Sequence, residues 1–173
     1  NLTHYKNKVT DLPLKDMPVS GVHKLAVGRS VYDFYMKKWA GVDPENGDPL
    51  WYKNVKDANN KITGRTTTND YAQADYYYTG KSSLPKVYGG FNTAFSYKGF
   101  ELSTIFAYSI GNYIVDRDVT MLWHHGSSTG RAWSTEILNR WTPENRYTDV
   151  PALKTVSNSW NANSTRNLFN NSF

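Results

Sequence analysis

Adjacent imidazoles at His124 and His125, with Asp116 and Asp118 a few residues upstream, come nearest to a metal-binding set in this chain. Transition metals take imidazole and carboxylate ligands. Neighbouring side chains point apart in extended structure, so two histidines in a polar loop fit solvated positions better than a shared metal. A second set, Asp43, Glu45 and Asp48 around Gly47, offers oxygens on a tight turn as a calcium loop does. The terminal glutamate of that pattern is replaced by Asn54, and a plain turn built from Pro44, Asn46 and Gly47 accounts for the composition. No metal ligand is assigned. Serines, histidines and acids are present, yet no spacing groups a nucleophile with a base, and GxSxG, HExxH and phosphate-cradling glycine loops are missing. No catalytic residue and no cofactor is assigned, and the chain reads as a non-enzyme. Recognition chemistry is confined to loop aromatics, Trp51, Tyr52, Trp123, Trp133 and Trp160. Their rings could stack on the C–H faces of sugars, or could fold the loops against one another or against a lid protein.

Composition narrows the scaffold that carries them. Aromatics make up 15% of 173 residues, with 13 Tyr and 6 Trp, while hydrophobic residues total only 39%. That balance is a strand-and-loop signature. No apolar run approaches the ~18 residues of a spanning helix, so contact with a membrane would be through β structure. There is no cysteine, which removes disulfides, thiolate nucleophiles and Cys-ligated zinc. The formal charge is +5, but the basic residues are scattered and Lys37–Lys38 is the longest run, so nucleic acid is not a partner. The opening residues, NLTHYKNKVTDLP, lack the pattern of a secretory signal, and the chain reads as an internal piece of a longer protein.

The element that must position the loops is a β-hairpin. Phe91, Thr93, Phe95 and Tyr97 alternate with Asn92, Ala94 and Ser96, and beyond Lys98 and Gly99 the alternation resumes through Phe100, Leu102, Thr104, Phe106 and Tyr108. A two-residue turn predicts Tyr97 opposite Phe100, Phe95 opposite Leu102, Thr93 opposite Thr104 and Phe91 opposite Phe106. Both arms then share one apolar and one polar face. Gly99 supplies the positive φ that the turn asks of its second position. Each arm, 87–97 and 100–110, matches the roughly 9 to 11 residues of a tilted membrane-crossing strand.

Around this hairpin the pattern predicts strands at about 1–12 and 23–42, long polar loops at about 43–86 and 111–172, and one loop helix near Thr129 to Trp141. One end of the strands has a two-residue turn and the other has loops of several tens of residues. Compact soluble domains rarely do this, whereas transmembrane barrels do. The expected fold is all-β, an antiparallel meander forming part of a large transmembrane β-barrel. A soluble carbohydrate-binding β-sandwich, which would bury Phe91, Phe95, Phe100 and Phe106 under a second sheet, is the alternative.

The segments GRSVYDFYMKKWAGVDPENGDPLWY, LPKVYGGFNTAFSYKGFELSTIFAYSIGN and RWTPENRYTDVPAL follow one another in the order and approximate spacing of a known family. Over essentially its whole length the chain resembles the C-terminal barrel of SusC/RagA-type TonB-dependent outer-membrane transporters. The resemblance implies a place in the bacterial cell outer membrane and import of glycan or peptide fragments. It also implies a SusD-like surface lipoprotein and the TonB complex as partners of the full-length protein. Plug, TonB box and barrel-closing strand are not in this sequence, so a slice of about four strands is expected. On that orientation Lys98 and Gly99 form a periplasmic turn and the loops are extracellular. Phe91, Phe95, Tyr97, Phe100, Leu102, Phe106 and Tyr108 face lipid, while Asn92, Ser96, Glu101 and Ser103 face the lumen. Tyr35 and Trp39 are expected in the aromatic belt at the membrane interface.

Overall fold

The computed structural model describes residues 1–14, 16–124, 130–154 and 164–172. His125, Trp160 and the first residue of the expected loop helix, Thr129, lie outside them. The chain divides into two units, one of Asn1–Phe34, Gly80–Ile114 and Phe169–Phe173, the other of Tyr35–Thr79 and Val115–Leu168.

In the first unit the alternating apolar positions form a three-stranded antiparallel sheet of order β1-β9-β10, with β1 Leu2–Thr3, β9 Val87–Tyr97 and β10 Phe100–Ile110. The register pairs Tyr97 with Phe100, Phe95 with Leu102, Thr93 with Thr104 and Phe91 with Phe106, as the alternation predicts. The turn has φ +48° at Lys98 and +86° at Gly99. Two successive left-handed residues make a type I′ turn, whose twist matches that of the strands it joins. Little else in this unit is buried, Phe34 being an exception where it stacks on His23 at 4.8 Å.

The second unit holds the core. Met36, Pro49, Trp51, Ala74, Ile137, Val150, Pro151, Ala152 and Leu168 are all buried. Its three-stranded sheet has the order β5-β6-β7, with β5 Trp39–Val42, β6 Pro49–Lys56 and β7 Ile62–Thr68. Residues 43–48 join β5 to β6 through a turn that is stitched by its own side chains. Asp43 accepts from the Glu45 N–H at 2.9 Å and from the Asn46 amide at 3.0 Å, and Asn46 accepts from the Asp48 N–H at 2.8 Å. Helix α1, Arg117–Leu122, starts where Asp116 accepts from the N–H groups of Asp118 and Val119, which satisfies two orphan donors of its first turn.

A four-stranded sheet has the order β2-β3-β4-β8, with β2 Asp16–Ser20, β3 His23–Ala26, β4 Asp33–Lys37 and β8 Tyr76–Ser82; β2 and β4 each run antiparallel to β3. Strand β11, Tyr113–Val115, pairs with β12, Leu168–Asn170. No helix among the described residues is long and apolar enough to cross a membrane, and no sheet among them closes on itself.

Four expectations need correction. The segment 23–42 is not one strand but three, broken by the turns between Ala26 and Asp33 and interrupted at Lys38. Residues 43–86 are not loop throughout, because β6, β7 and β8 lie there. Strand β7 is exposed on both faces, so its Thr-rich sequence carries no apolar alternation to read. The described part of 129–141 forms only a short 3-10 turn, Thr135–Asn139, capped by Ser134, and the α-helix lies at α1 instead. At 1–12 only Leu2–Thr3 is strand, and the rest is tied by single bonds such as Val9 N–H to Arg29 O at 2.8 Å.

Candidate functional site

Two surfaces carry the chemistry, one in each unit. On the hairpin, β9 and β10 lie in register, so the side chains of every second residue converge on one face. Phe91 and Phe106 stack at 4.5 Å and 16°, and Phe95 and Tyr97 at 6.4 Å and 26°. The face is uncovered: Phe100 is 81% exposed, Phe95 63% and Leu102 63%. Tyr108 is half-buried and its hydroxyl donates to the Asn1 carbonyl at 3.1 Å. No second sheet covers these rings among the described residues. The opposite face shows Asn92, Ser96, Glu101 and Ser103 to solvent, together with the apolar Ile105. Left in water, five large apolar side chains forgo on the order of 5 kcal/mol, as much as the net stability of a whole small domain.

The second surface is an aromatic cluster in the other unit. Trp51, on β6, is fully buried, edge-on to Trp39 at 5.7 Å and to Tyr71 at 5.3 Å. Both its faces are closed, so Trp51 cannot stack on a ligand, and its role is core packing. Tyr52 is half-buried with the Lys38 ammonium 5.1 Å from its ring. Trp123 lies against the buried pair Ile137 and Val150, and the Arg166 guanidinium sits 4.3 Å from its ring. Trp133 is partly exposed; its indole N–H donates to Nδ1 of the buried His124 at 2.9 Å. Trp160 lies outside the described residues. Among the described residues, Trp51, Tyr52, Trp123 and Trp133 do not come together in one stacking site.

Trp39 has polar partners of its own. Its indole N–H donates to Asp149 Oδ1 at 2.7 Å, and the Arg166 guanidinium lies 5.1 Å from its ring. Burial pulls the pKa of Arg166 down to about 10, opposed by the carboxylates of Asp149 and Glu136, so the guanidinium stays charged at neutral pH. Arg166 further donates to the Asp149 carbonyl at 3.0 Å. The result is a cation held between two indoles and tied to an acid.

Sequence reasoning missed the tyrosine ledge beside this cluster. Tyr35 of β4 stacks on Tyr76 of β8 at 5.5 Å and 15°, and packs on Tyr78 at 4.8 Å. Tyr76 and Tyr78 alternate in the run of three tyrosines, and that spacing was the available signal. Tyr77 points elsewhere, its hydroxyl donating to Asn54 at 2.8 Å. The Lys37 ammonium donates to the Tyr71 carbonyl and lies 4.0 Å from the Tyr71 ring and 5.1 Å from that of Tyr76. Burial pushes the Tyr71 phenol up to about 12, with Tyr76 adding to the shift.

The possible cation sets resolve into structural roles. Asp116 caps α1, and Asp43 holds the turn. Asp48 pairs with Lys154 at 2.5 Å and accepts from Asn69 at 3.0 Å. Burial alone would raise the Asp48 carboxyl, but these two hydrogen bonds and the lysine charge leave it below the usual range. No group of three metal-ligating side chains occurs among the described residues.

The two loop motifs GVDPENGDP and RWTPENRYTDVPAL are physical partners. The Trp141 indole donates to the Pro44 carbonyl at 3.1 Å, and the Ala152 N–H donates to the Gly47 carbonyl at 2.9 Å. Gly47 has φ +74°, and a Cβ there would lie 2.6 Å from Ala152 Cβ and 2.7 Å from Trp141 Cδ2. Only glycine fits.

No protein-family model matches the chain, and no curated protein matches it. Solved structures do. The chain is similar to a chain of the RagAB peptide transporter, at 29% identity and TM-score 0.73 over 92% of its own length. It is similar at the same identity to structures of the RagAB peptide importer in the closed-closed state (TM-score 0.74, 93% of this chain) and the open-open state (0.76, 95%). In each it spans 17% of the matched chain, so the likeness is to one portion of a much larger transporter chain.

Proposed function

We infer that this chain is a segment of the β-barrel wall of a TonB-linked outer-membrane importer of peptide fragments, working with a SusD-like surface lipoprotein. The observation that carries the reading is the 11-residue hairpin with an uncovered aromatic face. Two strands of this length, joined by a two-residue turn and apolar on one side only, are built to stand between lipid and a polar lumen. The similarity to RagAB over nearly the whole chain agrees with that role, and it favours peptides over glycans as cargo. By itself the segment cannot transport, because strand edges in a membrane must be closed by further strands. Its contribution is structural, the hairpin supplying two strands of the wall.

The test is fractionation and uptake with the full-length protein. The reading expects the protein in the outer-membrane fraction, and loss of uptake of a fluorescent peptide mixture when its gene is deleted. Recovery in the soluble fraction, or uptake unchanged on deletion, would overturn it.

A further inference from the structure

A concave groove of about 460 Å³ in the first unit lies at the end of the hairpin away from the Lys98–Gly99 turn, and its lining is strongly cationic. Lys6, Lys8, Arg29 and Lys86 line it against the single carboxylate of Asp33, a net +3, with His4 at its wall. The Asp33 carboxylate accepts from the Ser30 N–H. The ammonium groups of Lys6, Lys8 and Lys86 have no ion-pair partner among the described residues.

The walls of this groove are held in place. The strap 4–9 is bonded on both sides: the His4 Nδ1–H donates to the Lys86 carbonyl at 2.6 Å, and Asn7 Oδ1 accepts from Ser30 Oγ at 3.1 Å and from the Val31 N–H at 3.0 Å. Lys86 is positioned by an absence. A Cβ on Gly111 would come within 2.9 Å of Lys86 Cγ, so the lysine stem lies where any other residue at 111 would put its side chain.

Register puts Tyr88, against which the groove-lining Tyr5 packs, on the polar side of the hairpin. Thr3 pairs with Tyr88, and the Tyr5 ring meets Tyr88 edge-on at 5.9 Å. Tyr88 pairs with Ser109, which shares its face with Glu101 and Ser103 rather than with the phenylalanines.

We propose that this groove is a carboxylate-binding subsite for acidic peptide cargo, reading negative side chains or a free C-terminus through Lys6, Lys8 and Lys86. The proposal rests on the peptide-import reading, and it adds a charge preference to it. Exposed ion pairs contribute a factor of about two in affinity each, so three give roughly a tenfold preference at low salt, shrinking as ionic strength rises.

The experiment measures binding to the full-length protein of a fluorescein-labelled octapeptide with two glutamates and a free C-terminus. Its comparison is the same peptide with glutamines and an amidated end. Wild type is expected to bind the acidic peptide about tenfold tighter. The triple variant Lys6→Gln, Lys8→Gln, Lys86→Gln should lose that preference while keeping its affinity for the neutral peptide, and the corresponding Lys→Arg triple variant should restore it. An unchanged preference in the glutamine variant, or an equal loss of both peptides, overturns the groove assignment alone. If wild type binds neither peptide, the import reading falls as well.

Discussion

Gly47 offers the sharpest perturbation, because a single added methyl group meets two independent obstacles. The first is conformational: at φ +74° an L side chain costs about 1–2 kcal/mol. The second is steric. The new Cβ would sit 2.6 Å from Ala152 Cβ and 2.7 and 2.8 Å from Trp141 Cδ2 and Cε3. The last two belong to a rigid indole anchored on the Pro44 carbonyl, and overpacking of this kind costs about 1–3 kcal/mol. Gly47→Ala should therefore destabilise the contact between turn 43–48 and segment 141–152 by about 2–5 kcal/mol, a 30-fold to several-thousand-fold rise in local opening. Hydrogen exchange on the full-length protein reads this directly, at the Gly47 N–H bonded to Asp43 O and the Ala152 N–H bonded to Gly47 O. Gly64→Ala is the control, since nothing lies within 4 Å of its added methyl. If Gly47→Ala and Gly64→Ala alter exchange at these amides equally, the claim that the two motifs are packing partners is wrong.

Other tests probe the hairpin turn and the half-buried Tyr71. Lys98, at φ +48°, carries left-handed strain that asparagine tolerates better, so Lys98→Asn should slow exchange at Tyr97 and Phe100 by a few-fold, whereas Gly99→Ala should speed it by about tenfold. Equal effects of the two would contradict a type I′ turn. The Tyr71 phenol, raised to about 12, stays protonated in the fold while an unfolded tyrosine ionises near 10. Stability from this group is thus complete below pH 10 and lost as pH rises to about 12. The full shift corresponds to about 2.7 kcal/mol, and partial exposure reduces it to about 1–2 kcal/mol. A difference absorbance titration at 295 nm between wild type and Tyr71→Phe should show one phenol ionising near pH 12, and ionisation near 10 would refute its burial.

Legibility in the sequence followed the strength of the local signal. The hairpin could be read to the residue, because alternation, length and the Lys98–Gly99 turn all point to one register. Strands β6 to β8 could not, since their polar faces hide the period and their pairing depends on partners distant in sequence. Helix α1 was announced by the cap at Asp116, which reads equally well as a metal ligand when taken alone. Among the aromatics, residue type could not separate Trp51, sealed between Trp39 and Tyr71, from Trp133 at the surface. The tyrosine ledge needs β4 and β8 side by side, a long-range pairing that no local window contains.

The claim that the hairpin is a lipid-facing wall is tested most directly by its own periodicity. Single nitroxide labels at positions 91–97 and 100–108 of the full-length protein in liposomes report whether each site meets lipid or water. The account predicts oxygen access at 91, 93, 95, 97, 100, 102, 104 and 106, alternating with access to a water-soluble nickel complex at 92, 94, 96, 101 and 103. Uniform access to the nickel complex on both faces, or the inverse alternation, would contradict it.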